Sequence, residues 1–500
     1  MKLADRSCIA GSVATFSIIL AMLASIASPL FRKNHMAYRL TVATTVLIFG
    51  FSVVVAVCTM QAGTSFTYWL GHFPAPWGNE LRAGTLEGLL AACFSGVMLL
   101  SLLGGHQDFD DDILRGKQGI YFLMLNLLTA TLMVLVYTND LFTGYVFLEI
   151  SAIACCALVM ARQTGPAIVS TIRYMIFNCV GSGLFLLGLS ILYRCTGHLL
   201  MSNLHAKILE YAGRGEYIFP MIASFGLMTI GLAAKSGQFP FHSWLPGAHS
   251  NATTASSAVL SGLVLKGYVI FQIKLIIRVF SLDVVVRWHL AELLFVFGLL
   301  GMIIASVRAV QEEEAKRMIA FSTVAQIGYI YAAMGMSTLV GMAAACFQVI
   351  AHAFTKTMLF TSMGSLMDAS NHEKNLHYLR GAARRSPLAG VAFTVGALSL
   401  CGFPLLAGFG AKYLIAEAAF HSPVYLMMTL VGLAISALLN AMYYIPAVVN
   451  LWMPSKTKYP PVQSDLSRKV ALVLFIVVNV GLGVCFLPIM DLLSVGIVML

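Results

Sequence analysis

Apolar runs long enough to cross ~30 Å of hydrocarbon follow one another along almost the whole chain, and about fourteen of them read as membrane helices. No other feature constrains the fold as strongly. Inside lipid no water satisfies a free N–H or C=O, so each crossing segment must close its backbone hydrogen bonds internally. Of the 500 residues 59% are apolar and 10% charged, whereas a soluble domain carries about 25% charged residues. The expected fold is an all-α polytopic membrane protein, a single membrane domain over residues 1–500 with little left for a soluble unit. Three helices are expected within 1–118, five within 119–275, five within 286–450 and a last one within 451–500.

The formal charge of +10 could point to nucleic acid, but the basic residues form neither a patch nor an aromatic-interleaved stripe. They lie in loops and concentrate on one side, as Arg32, Lys33, Arg162, Arg308, Arg317, Arg384, Lys456 and Lys458 illustrate. The positive-inside rule makes that side cytoplasmic and both termini external. The expected location is the cytoplasmic membrane of a prokaryote. The first apolar run lacks a small-residue cleavage site and reads as a retained span. The run from Asp108 to Asp112 lacks the ligand spacing of a calcium loop and reads as solvated. Ten cysteines are scattered through apolar segments without a CxxC, so no thiolate cluster offers itself to zinc or an iron–sulfur centre. Neither a metal nor a cofactor is expected.

Two neighbouring apolar segments between Phe225 and Lys274 each carry a mid-span lysine, Lys235 and Lys266, and a turn rich in Pro, His and Ser joins them. A lysine at mid-depth costs roughly 2.5–3.5 kcal/mol, which marks both as functional candidates. Lys274, near a span end, reads as a snorkelling anchor. Pro240 removes a helical donor and clashes with the preceding turn, so the helix of Lys235 should break there. Pro404 does the same ahead of Lys412. Spans four to eight and spans nine to thirteen enter the membrane from opposite sides, and each group has such an interrupted fourth member. That pattern points to two inverted five-helix repeats, each with a broken helix, as in transporters.

Glu149 lies nine residues past Asp140, so helical rise sets it ~14 Å deep. It is the natural partner of Lys235; moving one away would change the other's proton affinity, although a static pair could instead fix helix packing. Lys266 has no acidic neighbour in sequence and reads as a relay site more than as a snorkelling residue. His352 and Lys356 stand four apart and share a helix face, the ingredients of a proton wire; a lone histidine could also merely bridge helices. Lys412 is the candidate terminal site towards the outer side. His242 and His249 either line a cytoplasmic access for protons or cap the broken helix.

The motifs FPFHSWLPGAH after a membrane lysine, KRMIAFSTVAQIGY, HAFTKTMLF and GFPLLAGFGAKYLI resemble the antiporter-like subunits shared by Mrp-type Na+/H+ antiporters, energy-converting membrane-bound hydrogenases and respiratory complex I. The resemblance covers roughly residues 70–450, and the loop GHFPAPWG is closest to the Mrp D-type subunit and its hydrogenase relatives. SNATTASS stands where the family usually has a proline-rich run, and Phe73 where a tryptophan is common. The resemblance implies a fourteen-helix fold. It also implies family roles in proton relay for Glu149, Lys235, Lys266, His352 and Lys412.

Residues and resemblance together lead to an expected function in proton translocation within a multi-subunit energy-converting complex, with Na+ counter-transport as a variant. Other membrane subunits, including further antiporter-like ones, are the expected partners, alongside the lipid bilayer and not nucleic acid. A quinone-interacting subunit is the alternative, but it lacks any cofactor motif. A scaffold without transport is another, but it has no use for costly buried charges.

Overall fold

A computed structural model of the chain describes residues 3–31, 34–73, 78–455 and 465–500. Arg32, Lys33, Lys456, Lys458 and residues 74–77 of the loop GHFPAPWG lie outside the described residues. Numbering only the crossing helices, the chain runs through α1 (Leu3–Ala27), α2 (Asn34–Ala62), α3 (Thr85–Gly104), α4 (Gln118–Tyr137), α5 (Leu141–Val159) and α6 (Gly165–Thr196). Next come α7, split into Ile218–Ser236 and Leu245–Asn251, and α8, which starts at Thr254 and contains π-helical turns at Leu260–Val264 and Leu275–Phe280. The second half holds α9 (Glu292–Val310), α10 (Ala315–Gly335), α11 (Leu339–Asp368), the split α12 (Pro387–Cys401 and Ala407–Phe420) and α13 (Pro423–Trp452). Last is α14, kinked between Leu466–Val484 and Phe486–Val498. Among the described residues thirteen helices are long and apolar enough to cross a membrane. The halves of α12 are each too short to qualify and together make a fourteenth crossing.

The two breaks beside the lysines have the same local cause. The leading halves of α7 and α12 end on Gly237 (φ 69°) and Gly402 (φ 92°), a left-handed backbone that glycine adopts without steric cost. Pro240 and Pro404 follow within the breaks, and neither can continue a helix. At two other helix starts a side chain caps the backbone: Asp140 accepts from the Thr143 N–H at 2.6 Å to start α5, and Thr338 accepts from the Gly341 N–H at 3.0 Å to start α11.

Helices in lipid gain little from burying apolar surface against each other and rely on close backbone approach. A Cβ placed on Gly231 of α7 would stand 2.5 Å from the Gly181 carbonyl of α6, and one on Gly328 of α10 would stand 2.6 Å from that of Gly298 in α9. The centre of the bundle is formed by α8, α10 and α11, whose crossing windows are 94%, 94% and 83% buried against 28% for α13. These three helices carry Lys266, Ser322, His352 and Lys356, so those polar groups sit in protein, away from lipid.

Several sequence expectations change. Lys274 does not snorkel: it is buried, and its ammonium donates to the Val136 and Thr138 carbonyls at 2.5 and 2.7 Å. There it satisfies orphan acceptors at the end of α4 and meets the negative end of the helix dipole. The acidic run is not a loop, and it is solvated only in part, at Asp110 and Asp111. It forms the helix His106–Asp112, and Asp108 is buried 2.5 Å from the Arg468 guanidinium, which also binds Asp368 at 2.7 Å. Between α6 and α7 lies a further helix, Met201–Arg214, that buries Met201, Leu204 and Ile208 along one stripe. A short antiparallel hairpin, Phe66–Trp69 with Glu80–Ala83, precedes α3.

Candidate functional site

Because α7 breaks just after Ser236, Lys235 stands in the last turn of a half-helix, where carbonyl dipoles favour a cation. Its ammonium is fully buried, 3.2 Å from Glu149 of α5 and 5.8 Å from the ring centroid of Tyr268 in α8. Glu149 keeps a third of its side-chain surface exposed. It lies in a stripe on α5 with the exposed Phe142, Val146 and Ile153.

Lys266 lies two residues past the first π turn of α8 and donates to the Ser261 carbonyl within it. π turns recur at functional sites because they re-aim a side chain. Among the described residues Lys266 has no acidic partner. On α11, Gln348, His352 and Lys356 follow at four-residue spacing on one face. Gln348 donates to Gln326 of α10 at 2.7 Å. Neither ring nitrogen of the buried His352 has a partner among the described residues. Lys266, His352 and Lys356 lie close enough for their charges to interact, and His249, stacked on Phe360, lies within reach of Lys266 and Lys356.

From Lys356 the polar contacts continue onto α13. Its ammonium donates to the Ile319 carbonyl (2.9 Å), Ser322 (2.8 Å) and the Tyr444 hydroxyl (3.2 Å). The Tyr444 ring packs on Tyr443 at 4.6 Å, and the Tyr443 hydroxyl donates to Asn440. Asn440 and Lys412 then share one acceptor, the Leu400 carbonyl, at 3.1 and 2.8 Å. That carbonyl is available because α12 stops at Cys401, leaving its last acceptors without helical donors.

The structure thus brings Glu149 to Lys235, groups Lys266 with His352 and Lys356, and places Tyr444, Tyr443 and Asn440 of α13 between Lys356 and Lys412, with a ring contact in place of a hydrogen bond from Tyr444 to Tyr443. Among the described residues no hydrogen bond joins Lys235 directly to Lys266. His242 turns away from this line into a separate cavity. The α13 residues were missed in the sequence, although Asn440, Tyr443 and Tyr444 at i, i+3 and i+4 mark one polar face in an apolar span. Among the described residues no cluster of His, Cys, Asp or Glu is arranged to hold a metal.

Fold and site define an integral membrane protein with ionisable side chains strung through its protein interior. Residues 138–438 match the NADH:quinone oxidoreductase/Mrp antiporter transmembrane family, and the chain belongs to that family. Among curated relatives it is 28% identical over 408 residues to NADH-quinone oxidoreductase subunit N of Desulforudis audaxviator, covering 79% of this chain and 77% of the relative. It is 29% identical over 413 residues to the D-type Na(+)/H(+) antiporter subunit of Bacillus subtilis, covering 81% and 80%. The fold is shared with a chain of an archaeal membrane-bound sulfane sulfur reductase (TM-score 0.87, 24% identity, 97% of each chain). It is also shared with a chain of the Mrp complex from Dietzia sp. DQ12-45-1b (TM-score 0.88, 19% identity, 98% of this chain and 97% of the other).

Proposed function

We propose that this chain is a proton-translocating subunit of a multi-subunit membrane complex, and that the protons move along the buried side chains between Lys235 and Lys412. The observation that carries the reading is the run from Lys356 through Tyr444, Tyr443, Asn440 and the Leu400 carbonyl to Lys412. Lysines, a histidine and tyrosine hydroxyls can each hold or hand on a proton, and water completes the gaps around His352 and between the Tyr444 and Tyr443 hydroxyls, whose rings only pack together. Glu149 and Lys235 set the charge at one end of the line. Access lies past His249, which is within electrostatic reach of Lys266 and Lys356. His242 faces arginines, which disfavour an arriving proton. Helices α4–α8 and α9–α13 act as two inverted repeats, each contributing one broken helix.

A carboxylate within an exposed apolar stripe is costly against lipid, so the α5 face with Glu149 is covered by another membrane subunit. The names of the relatives, subunits of a quinone oxidoreductase and of an antiporter, fit such an assembly. The membrane is a prokaryotic cytoplasmic one, with the face of Arg308, Arg317 and Arg384 inside and both termini outside. Sodium exchange, if present, belongs to the assembly.

The test is Lys412→Met in the assembled complex reconstituted into liposomes. Proton flux should fall by roughly tenfold or more, since removing a proton carrier interrupts the line at its end, and subunit composition should be unchanged. Wild-type flux in an intact complex overturns the reading.

A further inference from the structure

On the basic face of the membrane the break in α7 opens a cavity of about 660 Å³, within the usual range of ligand pockets. Arg173 of α6, Arg308 of α9 and Arg317 of α10 line it, together with His242, Ser170 and Asn251, and among the described residues no carboxylate lines it. Arg317 has one partner, Glu312 at 3.3 Å. Among the described residues Arg173 and Arg308 have no ion-pair partner. Three guanidinium groups from three different helices therefore converge on one hollow with little negative charge to answer them. Guanidinium forks match phosphate oxygens in geometry as well as in charge.

A second hollow lies deeper, on the lipid-facing side of the same break. It is an apolar groove of about 210 Å³ between α7 and α9, lined by Gly226, Ile230, Phe239, Phe241, Leu293 and Phe297 among others. The two hollows flank the same break, where the Phe239 ring, in the groove, lies 5.6 Å from the His242 ring, in the cavity. Along α9 they are linked by a continuous apolar face: Phe297, Leu300 and Ile304 are 38%, 39% and 36% exposed and lead at helical spacing to Arg308. The rise from Phe297 to Arg308 is about 16 Å, close to the half-thickness of a ~30 Å hydrocarbon core.

We propose that cavity and groove are one binding site for an anionic phospholipid. Its phosphate is held by Arg173, Arg308 and Arg317, and an acyl chain runs down Ile304 and Leu300 into the groove beside Phe239 and Phe297. The charge on the cavity selects the headgroup, and the depth of the groove selects a chain of ordinary length. The lipid also braces the broken segment of α7: Gln238 within the break already donates to the Phe297 carbonyl at 2.9 Å, against the wall the acyl chain would line.

The full chain, extracted with its complex and delipidated, is titrated with phosphatidylglycerol and with phosphatidylcholine while bound lipid is counted by native mass spectrometry. Phosphatidylglycerol should be retained, and Arg173→Gln with Arg308→Gln should weaken it by roughly tenfold, as expected for two phosphate-binding charges. Gly226→Leu supplies the second variant. A Cβ at Gly226 meets nothing within 4 Å, so the leucine fills the groove without strain in the protein. It should weaken long-chain phosphatidylglycerol several-fold and leave the dihexanoyl lipid unaffected. Equal retention of phosphatidylcholine, or no effect of the arginine pair, overturns the proposal. Competition by inorganic phosphate with no effect of Gly226→Leu shows a free-phosphate site and also overturns it. So does an assembled complex in which another subunit fills the groove and no lipid is retained.

Discussion

A Lys235→Ala variant is expected to abolish proton translocation while the complex still assembles. Lys235 is completely buried, and Glu149 at 3.2 Å is its ion-pair partner. Removing the ammonium leaves the line without the charge that Glu149 answers, so any handover that depends on the state of this pair stops. Assembly should survive because the variant removes volume without forcing a clash. Coupling within the pair gives a sharper readout. If the two side chains act as one switch, Glu149→Gln combined with Lys235→Ala should lose no more than either change alone. Formation of a pH gradient in inverted vesicles reads both points. Normal gradients in Lys235→Ala, or in Glu149→Gln, contradict the assigned role.

The largest expected effect on stability is at Arg468. This side chain is buried and holds Asp108 at 2.5 Å, Asp368 at 2.7 Å and the Gly104 carbonyl at 3.0 Å, tying the ends of α3, α11 and α14 together. Arg468→Met strands two carboxylates, and breaking a buried pair from one side costs about 3–5 kcal/mol, a large fraction of the ~5–15 kcal/mol that holds a domain folded. The loss should depend on pH. Burial above all holds the Asp108 carboxyl up at about 6, with Asp368 and Asp112 adding to the rise and Arg468 and Lys316 opposing it. A folded-state value above the unfolded ~3.9 means that this group favours the fold when protonated, a contribution lost as pH rises through 6. With Arg468 gone its strongest downward pull disappears. Its folded value then lies above 6, so the variant should be least stable at neutral pH and above, and its recovery on acidification should begin above pH 6 and run on towards 4. Thermal unfolding in detergent at two pH values decides this, and a deficit that does not change with pH contradicts it.

How much of this was legible in the sequence depended on whether the signal was local. The breaks at Gly237–Pro240 and Gly402–Pro404 are written in adjacent residues, so backbone chemistry alone located them. The mid-span lysines and Glu149 stood out because charge in an apolar run is rare. Partners far apart in sequence were hidden. Arg468 and Asp108 lie 360 positions apart, and nothing near the acidic run reveals that it is clamped. Lys274 sits near a span end, where snorkelling is the usual outcome, yet the end of α4 offers it two carbonyls. Tyr443, Tyr444 and Asn440 were overlooked because neutral polar groups draw less attention than charges. In the structure they lie between Lys356 and Lys412, bonded at each end and packed ring on ring in the middle.

The central claim is that the buried line is wet where protein partners are lacking, above all at His352, whose two ring nitrogens are unmatched among the described residues. The most direct measurement is a density map of the assembled complex at a resolution that shows ordered water. Waters should lie within about 3.2 Å of both ring nitrogens and link Lys266 on one side to Lys356 on the other. Apolar side chains packed against the imidazole, with no water between those lysines, would contradict the account.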